Sequence, residues 1–327
     1  MRYISPLLAV FFLTVFPCQG QKFEWGAGFN GFFDNREYYS LDIPKTMFGA
    51  RASGMVGVSL TGGHRIMAGI DYLYEFGHRP DAYLPDVTLF YQYESAKVDF
   101  IFGAFPRSGY LQYPIALLSD TLNYYRPNVQ GAYFLYRGGW GYENVFIDWT
   151  SRQTDTAPEH FIYGFSGKFQ KSLLFLEHYF LMGHFAAKGI PDPGYHLRDN
   201  GGFQVNLGAD LSSLVFLDSL SLFAGGLVSL DRIRGVDDTW QTPAGFTAGF
   251  TVLYRFLGID GTCYSGQGHT FLYGDPFYRL KQYGRLDIYF IPFRSGKVNV
   301  KLDMGIHFTP SQVDYSQQIR VTVNLPR

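Results

Sequence analysis

The stretch "KVNVKLDMGIHF", residues 297–308, decides the fold. Its even positions, Val298, Val300, Leu302, Met304, Ile306 and Phe308, are all apolar. Its odd positions, Lys297, Asn299, Lys301, Asp303, Gly305 and His307, are polar, charged or glycine. Alternation with a period of two reads as a single β-strand with one apolar and one polar face. Either the apolar face turns to a core and the polar one to bulk water, or the apolar face meets lipid and the polar one lines a water-filled interior.

The rest of the chain repeats the pattern. "KFEWGAGFNGFF" places Phe23, Trp25, Ala27, Phe29 and Phe33 on one parity, and "MFGARASGMVGVSL" places Phe48, Ala50, Ala52, Val56, Val58 and Leu60 on one parity. Comparable segments are legible near 64–76, 86–95, 96–105, 128–138, 140–150, 160–169, 172–182, 201–211, 219–230, 244–256, 257–265, 282–293 and 317–326. The least regular is 172–182, where His178 shares a parity with Leu174, Leu176 and Phe180. The total is about sixteen strands of roughly 9 to 13 residues, longer than the 5 to 6 usual in soluble domains and close to what crosses a bilayer at a tilt. Connections alternate in length: "TGGH" at 61–64, "GG" at 138–139, "QK" at 170–171 and "RSGK" at 294–297 are short, while most others are long. Aromatic residues fall on the apolar parity near strand ends, among them Trp25, Tyr74, Tyr93, Trp149 and Phe256. Such rings suit the two membrane interfaces.

The opening residues "MRYISPLLAVFFLTVFPCQGQ" combine Arg2, an apolar run from Ile4 to Phe16 and small residues around Gly20. They read as a cleaved export signal, residues 1–20, because the run is too short for a spanning helix. Loss of Arg2 from 27 Lys and Arg, against 28 Asp and Glu, leaves a net charge of about −2. That balance argues against a nucleic-acid partner. Of two cysteines only Cys263 would remain, so no internal disulfide is expected.

The expectation is an all-β chain: a transmembrane antiparallel barrel of about sixteen strands over residues 21–327, with short periplasmic turns and long extracellular loops, in the outer membrane. Charges on the polar parity then face the lumen: Arg51, Asp71, Asp99, Asp148, Arg255, Arg285, Asp287, Lys301, Asp303 and Arg320.

In strand number and loop sorting the chain resembles the sixteen-stranded Gram-negative outer-membrane porins. That resemblance implies a passive diffusion channel for small hydrophilic solutes, in contact with outer-membrane lipid and compatible with a homo-oligomer. It also implies a role for the longest connection, "PRSGYLQYPIALLSDTLNYYRPN". In such porins the loop after the fifth strand folds inward and forms the constriction. Residues 106–127 become the candidate constriction loop, with Arg107, Asp120 and Arg126 selecting charge and Tyr110, Tyr113, Tyr124 and Tyr125 stacking sugars or packing the loop to the wall.

Patterns for catalysis are weak, and no enzymatic activity, cofactor or metal is expected. The eight histidines are scattered, with no H-E-x-x-H or paired-cysteine spacing. "GFSGK" at 164–168 is not the G-x-S-x-G elbow. Asp231, Asp237 and Asp238 share a loop but read as a solvated acidic turn. His307, followed by Thr309 and Ser311, is similar to part of the pattern of outer-membrane lipid hydrolases without completing it. A lipid-acting barrel enzyme is therefore the alternative function, and a non-conducting barrel of a secretion or assembly complex is a third.

Overall fold

The structure, a computed structural model, describes residues 20–77, 84–190 and 194–325. The expected export signal lies outside the described residues apart from Gly20. Among the described residues the chain forms β1 (Gln21–Glu37), β2 (Lys45–Leu60), β3 (His64–Glu75), β4 (Asp86–Glu94), β5 (Val98–Pro106), β6 (Asn128–Gly138), β7 (Gly141–Ser151), β8 (His160–Lys171) and β9 (Leu174–Phe185). There follow β10 (Arg198–Asp210), β11 (Ser219–Ile233), β12 (Asp237–Gln241), β13 (Ala244–Tyr254), β14 (Leu257–Gly266), β15 (Gln282–Arg294), β16 (Val298–Phe308) and β17 (Val313–Leu325).

Each wall strand pairs antiparallel with its sequence neighbours, and β1 pairs with β17 from Ala27↔Leu325 to Glu37↔Tyr315, which closes the sheet. Closure removes the unpaired edges that lipid cannot satisfy. The short β12 pairs only with β11 and stands above the wall, leaving sixteen strands in the barrel. All five of its residues are exposed. With no buried face it carries no period-two signal, so only a loop was expected there. The polar ends of three other segments were also missed: β1 continues through Asp34 to Glu37, and β10 and β17 begin three and four residues before the expected 201 and 317.

The alternation resolves as lipid outside and polar groups inside. Leu302, Met304 and Phe308 of β16 are exposed on the outer surface, while His307 is fully buried within. The barrel is an outer-membrane protein with short periplasmic turns, such as 139–140 and 172–173, and long extracellular loops. Gly141 enters the first of these turns at φ +140°, where a Cβ would lie 1.7 Å from the Lys168 carbonyl oxygen, so only glycine fits. In β15 the register shifts between Phe290 and Phe293, flanking Pro292, which has no N–H to give the ladder.

The extracellular half of the lumen is narrowed by two inward connections, which leave a cavity of about 380 Å3 between Arg36, Lys45, Ser119, Leu122 and Tyr273. The 107–127 segment turns inward, with Ala116 and Leu117 fully buried and a short helix over Thr121–Tyr125. It meets the 267–281 connection through Ser119 N–H to the Tyr273 carbonyl at 2.7 Å and Asp275 N–H to the Ile115 carbonyl at 2.8 Å. Around this junction Phe105, Tyr133, Phe146, Phe271, Phe277 and Tyr278 form an apolar cluster inside the barrel.

Candidate functional site

The lumen charges expected from sequence are mostly consumed by one another or by the inward segment. Arg51 pairs with Asp71 and donates to the Tyr124 carbonyl. Arg107, 1% exposed, pairs with Asp148 and donates to the carbonyls of Arg126 and Asn128. Asp120 lies between Arg36 at 2.8 Å and Arg320 at 2.6 Å. Burial alone would raise the Asp120 carboxyl, but Arg36, Arg320 and Arg285 outweigh it and hold the pKa at about 2. Arg285 bonds Asp287, Lys301 pairs with Asp303, and Asp99 accepts from Gln92. Arg255 departs from its expected place: it occupies the two-residue turn after β13 at φ 57°, its guanidinium over Tyr254, because its alternating segment ends one residue earlier.

The tyrosines of the segment are packed against the wall. Tyr110 meets Phe105 and Tyr133 edge-on, Tyr113 donates to the Phe180 carbonyl, and Tyr124 stacks on Phe32 at 4.5 Å. Arg126 is exposed and donates to the Thr150 carbonyl. Asp231, Asp237 and Asp238 do not converge: Asp231 pairs with Arg198, Asp237 accepts from Gln241, and Asp238 accepts from the Gly235 N–H.

His307 turns into the lumen, away from Thr309 and Ser311. Its Nδ1 lies 2.7 Å from the Tyr283 hydroxyl and its Nε2 3.2 Å from Ser316 Oγ. Serine and histidine at that distance suggest a nucleophile and base. Both are sealed at 1% exposure or less beneath Tyr38 and Phe277, so no acyl chain reaches them.

A different histidine meets the lipid boundary. On β9 the even residues face outward, as Leu174 and Leu176 do, and His184 follows on the same face at the extracellular end. In register beside it lie Phe161 of β8 and Asp199 of β10, and beyond Asp199 lies Arg232 of β11. Four neighbouring strands thus place one side chain each at the same height. His184 Nδ1 donates to Asp199 Oδ1 at 2.7 Å. A carboxylate only accepts, so Nδ1 carries the proton of this bond and any lone pair of the ring lies on Nε2. Nε2 has no hydrogen-bond partner among the described residues.

Asp199 is held in turn by Arg232 and Arg234, each 2.8 Å from Oδ2. The Arg232 guanidinium lies 4.3 Å from the Trp240 ring, and Arg234 is 45% exposed. Phe161 stacks on Trp149 at 4.7 Å and touches the His184 ring at 5.0 Å, which sets the group in the outer aromatic belt. A base whose second nitrogen is fixed by a carboxylate, with cations beside it at the depth of headgroups and ester linkages, can activate water on a lipid ester. The sequence signal was present but cut off, since the segments 172–182 and 201–211 stop two residues short of both His184 and Asp199.

Solved structures similar to this chain are outer-membrane barrels. A loop L8 deletion mutant of OmpT, an outer membrane protein of Vibrio cholerae, is 8% identical, with 94% of this chain and 100% of that one covered and a TM-score of 0.57. Salmonella typhi OmpF is 9% identical, with 94% and 98% covered and a TM-score of 0.52. The anion-selective porin from Comamonas acidovorans is 8% identical, with 93% and 100% covered and a TM-score of 0.54. At such identity these matches speak for the fold alone. No curated protein matches the chain significantly. The sequence profile of the lipid A 3'-O-deacylase-type family does match, over residues 20–325. That family is one of enzymes, and the match overturns the expectation that the barrel has no enzymatic activity. Matched from the first wall strand to the last, the chain belongs to the lipid A 3'-O-deacylase-type family.

Proposed function

We propose that the protein hydrolyses an ester-linked acyl chain of a lipid A-type glycolipid in the outer leaflet, at the lipid-facing group of His184, Asp199, Arg232 and Arg234. The observation that carries this reading is the 2.7 Å bond from His184 Nδ1 to Asp199, which leaves Nε2 open toward the membrane interface. Family membership supports it over passive diffusion, as does the narrowing of the outer lumen by the 107–127 and 267–281 segments.

His184 Nε2 takes a proton from water as the water oxygen attacks the ester carbonyl carbon. The tetrahedral intermediate then collapses with cleavage of the bond to the sugar oxygen. The imidazolium returns its proton to that oxygen, giving a free fatty acid and a free hydroxyl. Asp199 stabilises the imidazolium, and the exposed Arg234 faces the headgroup phosphate. Refolded protein incubated with purified lipid A in mixed micelles and read by mass spectrometry tests this. Loss of one ester-linked acyl mass by the native protein and not by His184→Gln is expected; unchanged lipid A in both would contradict it.

A further inference from the structure

Beneath the inward segment the lumen keeps a cavity of about 610 Å3. Gly26, Gly296 and Leu325 line its mouth at the short-turn end, so it opens to the periplasm, and Asn123 and Tyr124 of the inward segment form its roof. Four asparagines line it, Asn30, Asn123, Asn128 and Asn324, with four serine or threonine hydroxyls. Only Asn128 has a side-chain hydrogen bond among the described residues, to Thr88 at 3.1 Å. The Oδ1 of Asn30 is covered yet without a partner. Asn123 and Asn324 are exposed to the cavity and Asn30 is half-buried, so their amides are free to exchange water for the hydroxyls of a ligand.

The charges around the cavity cancel. Arg51 is neutralised by Asp71, and above the roof Arg36 and Arg320 are balanced by Asp34 and Asp120. A phosphate would meet the Asp71 carboxylate and a cation would meet the guanidinium groups. A neutral ligand rich in hydroxyls meets neither. Each primary amide presents a donor and an acceptor side by side, which matches adjacent hydroxyls of a sugar ring. The volume lies within the range of small-ligand sites and suits a short oligosaccharide.

We propose that this vestibule binds a neutral oligosaccharide of about two sugar units from the periplasmic side, independently of the lipid-facing group. The test uses the refolded full chain in an amine-oxide detergent, which has no sugar headgroup, titrated with maltose and with N,N'-diacetylchitobiose and followed by saturation-transfer NMR. Saturable binding of at least one disaccharide is expected, weakened tenfold or more by the double variant Asn30→Leu, Asn324→Leu and abolished by Ser53→Trp, which fills the cavity. Heat-modifiable gel mobility confirms that each variant is a folded barrel. No saturation by either sugar in the folded native protein means that the cavity holds water only and overturns the proposal. Binding that survives both variants places the sugar elsewhere and overturns it equally. Lipid hydrolysis at His184 would be unaffected by either result.

Discussion

At the scale of single residues, the proposed hydrolysis depends on which partner fixes which proton. In the proposed reaction Asp199 makes His184 a base by accepting from Nδ1, so Asp199→Asn would remove both the tautomer preference and the charge that steadies the imidazolium. Hydrolysis is expected to fall by about 10²- to 10⁴-fold, the usual contribution of positioned acid–base catalysis, with unchanged barrel mobility in unheated gels. A fall of less than threefold would place the chemistry elsewhere. Arg107 is the opposite kind of residue, since its role is packing. Its guanidinium is the only cation within reach of the buried Asp148 among the described residues. Arg107→Ala should destabilise the barrel by about 3–5 kcal/mol, the cost of stranding one member of a buried pair. Urea unfolding in lipid vesicles measures it.

At the scale of elements, the two inward connections are where protons matter. His269 in the 267–281 connection is 1% exposed, bonds Ser229 Oγ through Nδ1 at 2.9 Å and has no partner at Nε2. Burial lowers its pKa from 6.5 to about 4. The detached connection therefore binds a proton that the docked one refuses, and docking is strongest above pH 6.5 and weakens as pH falls toward 4. Hydrogen exchange of residues 267–281 should accelerate between pH 7.5 and about 5 after correction for intrinsic rates, and His269→Gln should remove the dependence. The strands were legible in sequence because lipid on one side and polar groups on the other impose a strict period of two, as at Val298 to Phe308. The side chains proposed to act on lipid were not. His184, Asp199 and Arg232 lie on the apolar parity of their strands, so they read as the place where alternation stops. Only the register of the consecutive strands β9, β10 and β11 reveals that they share one height. The pairing of the charges on the polar parity with Arg107 and Asp120 was not legible, because it needed the path of the inward segment.

At the scale of the molecule, the barrel divides its work between two surfaces. The lipid face carries the His184 group at the outer belt and a second pair, His178 with Glu143, nearer the short turns, while the lumen is narrowed above by packed loops and open below as a polar vestibule. Met304 lies on the lipid face near the middle of β16. Met304→Arg should cost about 2–4 kcal/mol of insertion if it reaches the bilayer midplane, whereas Thr322→Arg in the vestibule should fold normally. Equal yields of heat-modifiable protein from both would contradict the assignment of faces. A lipid-facing histidine is proposed to make this barrel an ester hydrolase. Mass spectrometry of lipid A after incubation with the native protein and with His184→Gln, both verified as folded, tests it most directly. Loss of a single ester-linked acyl chain with the native protein alone is the expected result; equal release by the two proteins, or none by either, would contradict it.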